Sequence, residues 1–262
     1  DRTEMLETWT NYEIGQRLLD TTHEDLDVAT GEERASILDD LDTYLESLTG
    51  GIPPDPTYFA AIDIARRRNQ GLGSLGVPRF YVLIEGETED LWDDRILDIK
   101  SQGAPSASVG IPALRDASPF AHHADRVARA QKALALHVDD HLGFMVSGNE
   151  TYSIRERSPW KRALDIDEIE TSKQFNGVAE DWGRILANAH ARADNDYDDV
   201  LIPHSFESGV SDITDREHEE FRERVRSTAR PYARQVEQGW KAFVPYVEEE
   251  YDFDCEDEED DG

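Results

Sequence analysis

Cysteine is almost missing from this sequence. Cys255 stands alone among 262 residues, so neither an internal disulfide nor a CxxC metal site can form. Long apolar runs are missing as well. None reaches the ~18 residues of a membrane span, no signal-peptide pattern is read, and a cytoplasmic protein without a membrane partner is expected. Positive charge is scarce, with 27 Lys and Arg against 58 Asp and Glu and a net charge of −31. Lysine occurs only at 100, 132, 161, 173 and 241. Phosphate-backbone binding needs clustered positive charge, so a nucleic-acid partner is not expected. Aromatics are not lacking: five Trp, nine Tyr and nine Phe argue against wholesale disorder.

The acid is spread along the whole chain rather than gathered in one block, which disfavours a dedicated surface for a basic partner. Thirty-one excess negative charges repel one another at physiological salt. At molar salt the Debye length falls to about 3 Å and screens most of that repulsion. The composition therefore reads as that of a salt-loaded cytoplasm, of haloarchaeal type. The chain begins at Asp1 rather than Met and reads as part of something longer.

Patterning gives an α+β chain in four stretches. Residues 1–60 read as helical. Met5, Leu6, Trp9 and Tyr12 recur at helical spacing, Thr30-Gly31-Glu32-Glu33 has the form of a capping box, and Ile37, Leu38, Leu41, Tyr44, Leu45 and Leu48 form one stripe ended by Gly50-Gly51-Ile52-Pro53-Pro54. Residues 61–165 read as a small antiparallel sheet with one crossing helix. Its strands are Phe80–Ile84, Ile96–Lys100 and Tyr152–Glu156, and the helix begins at Ser118-Pro119 and continues through Val127, Ala130 and Leu134. Residues 166–247 return to helix. One stripe runs from Phe175 to Ala189, Thr214-Asp215-Arg216-Glu217 offers another capping box, and a long stripe from Phe221 to Val247 carries Pro231, where a kink is expected. Residues 248–262 read as a solvated acidic tail.

The strongest chemical signal is Gly71-Leu72-Gly73-Ser74-Leu75-Gly76. Glycines at this spacing let backbone N–H groups approach a phosphate closely. A dinucleotide-binding fold requires a helix directly after them. Here Val77-Pro78 and the strand at Phe80 follow instead, as in the hairpin that covers ATP in a protein-kinase small lobe. An ordinary glycine-rich turn is the bland alternative. Lys100 ends the next strand, where such a lobe places its phosphate-pairing lysine. Alternation sets Ile96, Asp98 and Lys100 on one face, and Asp98 is an awkward neighbour for a base. Asp125, in the first turns of the crossing helix, is the best candidate to fix Lys100; a solvated helix acid is its bland reading.

The histidines carry less. His137 and His141, four apart, could share a helix face, but no third ligand stands at a diagnostic spacing and no metal site is assigned to them. His190-Ala191-Arg192-Ala193-Asp194 faintly echoes a catalytic loop. It lacks the later Asn and metal-binding Asp, so favourable charges at a helix C-terminus account for it.

Taken together, Gly71-x-Gly73-Ser74-x-Gly76, Arg79-x-Tyr81-x-x-Leu83, Gly86, Leu97-Asp98-Ile99-Lys100, Pro105-Ser106-Ala107, Arg126-Val127, Arg155-Glu156 and Leu186-Ala187-x-Ala189-His190-Ala191-Arg192 resemble the C-terminal part of the family called domain of unknown function 2252. That resemblance spans most of residues 60–245. It implies an incomplete, permuted kinase-like fold, with a Gly-Asp-x-His-x-x-Asn element and an Asp-rich strand upstream of this chain. Ser101 departs from the family, which usually has Glu after the lysine. The expectation is an ATP-binding portion of a kinase-like protein, a phosphotransferase when complete. Gly71, Gly73, Ser74 and Gly76 would cover the phosphates, Lys100 would pair with them, Asp125 would fix Lys100, and Glu156 would border the base. Mg²⁺ would be held by residues outside the chain, and the acceptor substrate is open. The rival expectation is a non-catalytic scaffold that binds another protein through its helical ends.

Overall fold

The computed structural model describes every residue except 14, 50, 51, 53, 54, 70, 72, 73, 75, 89, 162, 215–217 and 252–262. It divides into two compact units, Asp1–Pro203 and His204–Gly262.

The first unit is mixed α+β. It opens with α1 (Arg2–Trp9), whose N-cap Asp1 forms a capping box with Glu4. Strands β1 (Thr10–Glu13) and β2 (Gln16–Leu19) then form a separate two-stranded hairpin, and β3 (Leu26–Val28) joins the main sheet. The expectation of an all-helical opening is corrected here. Tyr12 fits the helical spacing of Met5, Leu6 and Trp9, but α1 stops at Thr10, whose extended backbone starts β1. Helix resumes where Thr30 caps α2 (Gly31–Asp39), with the Thr30 hydroxyl and the Glu33 carboxylate each binding the other's backbone N–H. The single stripe from Ile37 to Leu48 is divided at Asp40 between α2 and α3 (Leu41–Ser47).

The main sheet continues with β4 (Ala61–Arg67), β5 (Arg79–Ile84) and β6 (Arg95–Ser101), followed by α4 (His123–Leu134), β7 (Gly143–Ser147) and β8 (Glu150–Glu156). Its order is β3-β4-β5-β6-β8-β7, and every pairing is antiparallel. The three strands read from the sequence are β5, β6 and β8; three more complete the sheet. The crossing helix is capped at His122 rather than Ser118, because the His122 ring accepts the Asp125 N–H.

Strand alternation gives the sheet two buried faces. Val82, Leu97, Ile99, Met145 and Ile154 face Ile37, Leu41 and Tyr44 of α2 and α3. Tyr81, Leu83 and Ile96 face Met5, Leu6 and Trp9 of α1, with Leu19 and Leu26 beside them. Gly86 closes the end of β5 at φ +84°, where a Cβ would come 2.5 Å from the Asp93 carbonyl oxygen, so only glycine fits. After the sheet, α5 (Ser172–Arg192) is capped by Thr171 with Gln174. It leaves Phe175, Trp182, Ile185 and Leu186 exposed.

The second unit contains α6 (Phe206–Thr214) and α7 (His218–Tyr251). The α7 helix runs through both Pro231 and Pro245 and extends three residues beyond the expected start of the acidic tail at 248. The rest of that tail, and Asp215, Arg216 and Glu217 of the expected capping box, lie outside the described residues. No described helix is long and apolar enough to cross a membrane.

Candidate functional site

The glycine segment closes the hairpin between β4 and β5. Within it the Ser74 N–H donates to the Gly71 carbonyl at 2.8 Å, the Val77 N–H to the Ser74 carbonyl at 3.2 Å, and Gly76 turns the chain at φ +72°. A Cβ on Gly71 would meet nothing within 4 Å, so that glycine leaves open space. Gly73 lies outside the described residues.

β6 pairs with β5, the second strand of that hairpin, and sets Lys100 directly opposite Arg79. On its other side β6 pairs with β8, with Lys100 opposite Ser153 and Asp98 opposite Arg155. The Lys100 side chain is partly exposed and makes no hydrogen bond or ion pair among the described residues. Its desolvation, followed by the charge of Arg79, pulls its pKa below the ordinary lysine value; Asp98 opposes this, and Arg155 adds a smaller lowering effect.

Asp98 does share the face of Lys100, as alternation requires. It is buried under Arg79, whose Nε and one terminal nitrogen reach its two carboxylate oxygens at 2.6 and 2.5 Å, while Arg155 Nε stands 3.6 Å away. The hydrogen bond to Asp98 raises the Arg79 pKa. Arg79, Tyr81, Asp98 and Arg155 line a cleft of about 570 Å³ together with the segment after β8, Arg157 to Lys161. Lys161 is shifted down by desolvation and then by Arg157 and Arg79. In a chain of net charge −31, cations outnumber anions here. Trp160 is 77% exposed at the rim.

Two of the expected site residues are engaged elsewhere. The Asp125 carboxylate accepts the Ala121 N–H at 3.0 Å, just ahead of its own helix, and forms no ion pair with Lys100. An acid in a first helical turn is held by free backbone donors before it can reach across to a strand. Glu156 borders the cleft, but its carboxylate turns toward Arg2 (3.0 Å), Arg95 (3.5 Å) and His141 (3.7 Å). Ser101 is buried and donates to Glu150 at 2.7 Å.

His137 and His141 do not share a helix face. α4 ends at Leu134, and both lie in the loop before β7. His141 instead meets Asp139 and Glu156, and their ligand-type atoms all lie within 4.8 Å of one another. Burial pushes the Asp139 carboxyl up, but its contacts with His141 and the Glu156 N–H together outweigh this and leave it lowered. Sequence spacing missed this group because Glu156 arrives from a different strand. The short Asp-x-His at 139–141 was its one local sign.

No curated protein and no solved structure matches the chain. The family described as an uncharacterized protein conserved in bacteria (DUF2252) matches residues 1–246, which includes the N-terminal 60 residues as well as the sheet and α5. With nearly the whole length matched, the chain belongs to the DUF2252 family.

Proposed function

We propose that the cleft beside the glycine hairpin binds the triphosphate of ATP, as the small lobe of a kinase-like protein does. One observation carries this reading. The glycine segment closes an antiparallel hairpin, and the very next strand presents, against that hairpin's second strand, a lysine with no ion pair among the described residues. Kinases use these two parts, a glycine-rich loop over the phosphates and a lysine on the third strand, to hold and orient ATP. Support also comes from Arg79, Arg155 and Lys161, which line the cleft of about 570 Å³ and favour a polyanion there. Lys100 and the described glycines are not among its lining residues, and Ser74 and Gly76 border a separate pocket with Arg66, Arg67 and Arg68. The segment from Arg157 to Trp160, directly after β8, would border the base in this reading. In this reading the acid that fixes a kinase lysine is not Asp125. Asp98 raises the Lys100 pKa, but Arg79 holds both of its carboxylate oxygens, so neither acid pairs with the lysine.

Phosphoryl transfer, with Mg²⁺ and an acceptor, belongs to the same proposal for the protein as a whole. There the chemistry is positioning and charge stabilisation. A second reading, a kinase-like scaffold without catalysis, is favoured by the Arg79–Asp98 pair lying across the cleft and by the exposed apolar residues of α5. The salt-loaded, cytoplasmic setting rests on the charge of −31.

The test is equilibrium binding in molar KCl. ATP should bind at least tenfold more tightly than adenosine, and Lys100→Ala should remove most of that difference. Equal affinity of wild type and Lys100→Ala for ATP would overturn the assignment. Binding of ATP by the intact protein without phosphate release would favour the scaffold.

A further inference from the structure

The group Asp139, His141 and Glu156 forms a wall of a second pocket, of about 620 Å³, which also includes Tyr58, Arg95 and Arg2. Each of the three side chains is held from behind. Tyr58 Oη contacts His141 Nε2 at 2.8 Å. The Glu156 N–H donates to Asp139 Oδ2 at 2.6 Å. Arg2 donates to Glu156 Oε1 at 3.0 Å, and Arg95 stands 3.5 Å from the same oxygen. The three ligand-type atoms face one another: His141 Nδ1 lies 3.1 Å from Asp139 Oδ1, which also accepts the His141 backbone N–H at 3.0 Å, and 3.7 Å from Glu156 Oε2.

Metal ligands in proteins are built this way, with the far atom of each ligand fixed by a hydrogen-bond partner. With Nε2–H donated to Tyr58, the Nδ1 lone pair faces two carboxylate oxygens and a cation between them would satisfy all three; with the proton on Nδ1, the ring donates to Asp139 and accepts from Tyr58 instead. Bonds of about 2.0–2.1 Å in a tetrahedral zinc site put neighbouring ligands about 3.3 Å apart. The two distances on His141 bracket that value. His141 is only 4% exposed, and Tyr44 donates to its backbone carbonyl at 2.7 Å, so the ring is held in place. The two arginines reduce the negative charge of Glu156 through Oε1 and leave Oε2 free.

We propose that Asp139 Oδ1, His141 Nδ1 and Glu156 Oε2 bind one divalent transition-metal ion, of which zinc is the best fit to one imidazole and two carboxylates, with its fourth position open to the pocket. The ion would tie the loop before β7 to the end of β8. No residue of the glycine hairpin takes part, although Asp139 and Glu156 also line the neighbouring cleft of the nucleotide reading.

The probe is Zn²⁺ alone, titrated into chelator-treated protein in molar KCl with excess Mg²⁺ to occupy the many surface carboxylates. One ion per chain is expected, and Co²⁺ in its place should give visible absorption of low-symmetry, four-coordinate type. Asp139→Asn and Glu156→Gln should each weaken Zn²⁺ binding at least tenfold while keeping the circular dichroism of the metal-free chain. Full-affinity binding by both variants would overturn the site, placing the ion elsewhere. So would the absence of stoichiometric binding by wild type, which would leave the His141 ring as a hydrogen-bond partner of the carboxylates and nothing more.

Discussion

Arg79 and Lys100 face each other across the β5–β6 ladder, two cations in directly opposed positions. Like charges so placed disfavour the sheet by some tenths of a kcal/mol each. Here the carboxylate that offsets them is Asp98, and Arg79 takes both of its oxygens. Lys100 is left as a cation with no anion of its own among the described residues, and a phosphate entering the cleft would supply one.

The Arg79–Asp98 pair is itself a prediction about stability. Both side chains are largely buried, at 14% and 6% exposure. Removing one partner leaves the other charge desolvated and alone, which costs about 3 kcal/mol in such settings. Asp98→Ala should lower the free energy of unfolding in urea by about that much, and Arg79→Ala with Asp98→Ala should cost less than the two single changes added together. A loss below about 1 kcal/mol for Asp98→Ala would show that the pair is screened.

Much of this arrangement is legible in the sequence, and the rest is lost for identifiable reasons. Strands β5, β6 and β8 announce themselves because Phe80, Ile96 and Tyr152 begin short β-branched or aromatic runs. The Thr30–Glu33 cap is purely local and is found as read. β1 and β2 are hidden because Met5, Leu6, Trp9 and Tyr12 keep helical spacing across the point where the chain changes to strand. Glu156 is visible as a strand residue, but its turn toward His141 depends on register with a loop 15 residues earlier, which no local pattern encodes.

Asp94 should make stability depend on pH in the mildly acidic range. Burial raises its carboxyl from 3.8 to about 6, against the opposing charge of Arg17 at 3.0 Å and with added repulsion from Glu85 and Asp93. The folded chain therefore holds this proton more tightly than the unfolded chain. The stability it contributes is full below pH 3.8 and is lost as pH rises through about 6. Asp94→Asn keeps the neutral form at every pH. The melting temperature of the variant relative to wild type should climb between pH 4 and pH 7, by roughly 2–4 °C for each kcal/mol involved. A difference that is flat across that range would contradict the shift.

The charge of −31 makes a broader prediction. Repulsion spread over the chain is screened over about 10 Å at 0.1 M salt and about 3 Å at 1 M. The melting temperature should rise steadily with KCl well beyond 0.1 M, and with NaCl by a similar amount. A midpoint that stops rising near 0.1 M would mean that the acids are already compensated within the fold.

The central claim is that Lys100 lies at the phosphates of bound ATP, and the small number of lysines makes it directly accessible. An acyl-phosphate derivative of ATP transfers its acyl group to an amine beside the triphosphate, and mass spectrometry can assign the label among Lys100, Lys132, Lys161, Lys173 and Lys241. In molar KCl the label should fall mainly on Lys100 and disappear when ATP is added in excess. Labelling spread over the other four lysines and indifferent to ATP would contradict the account.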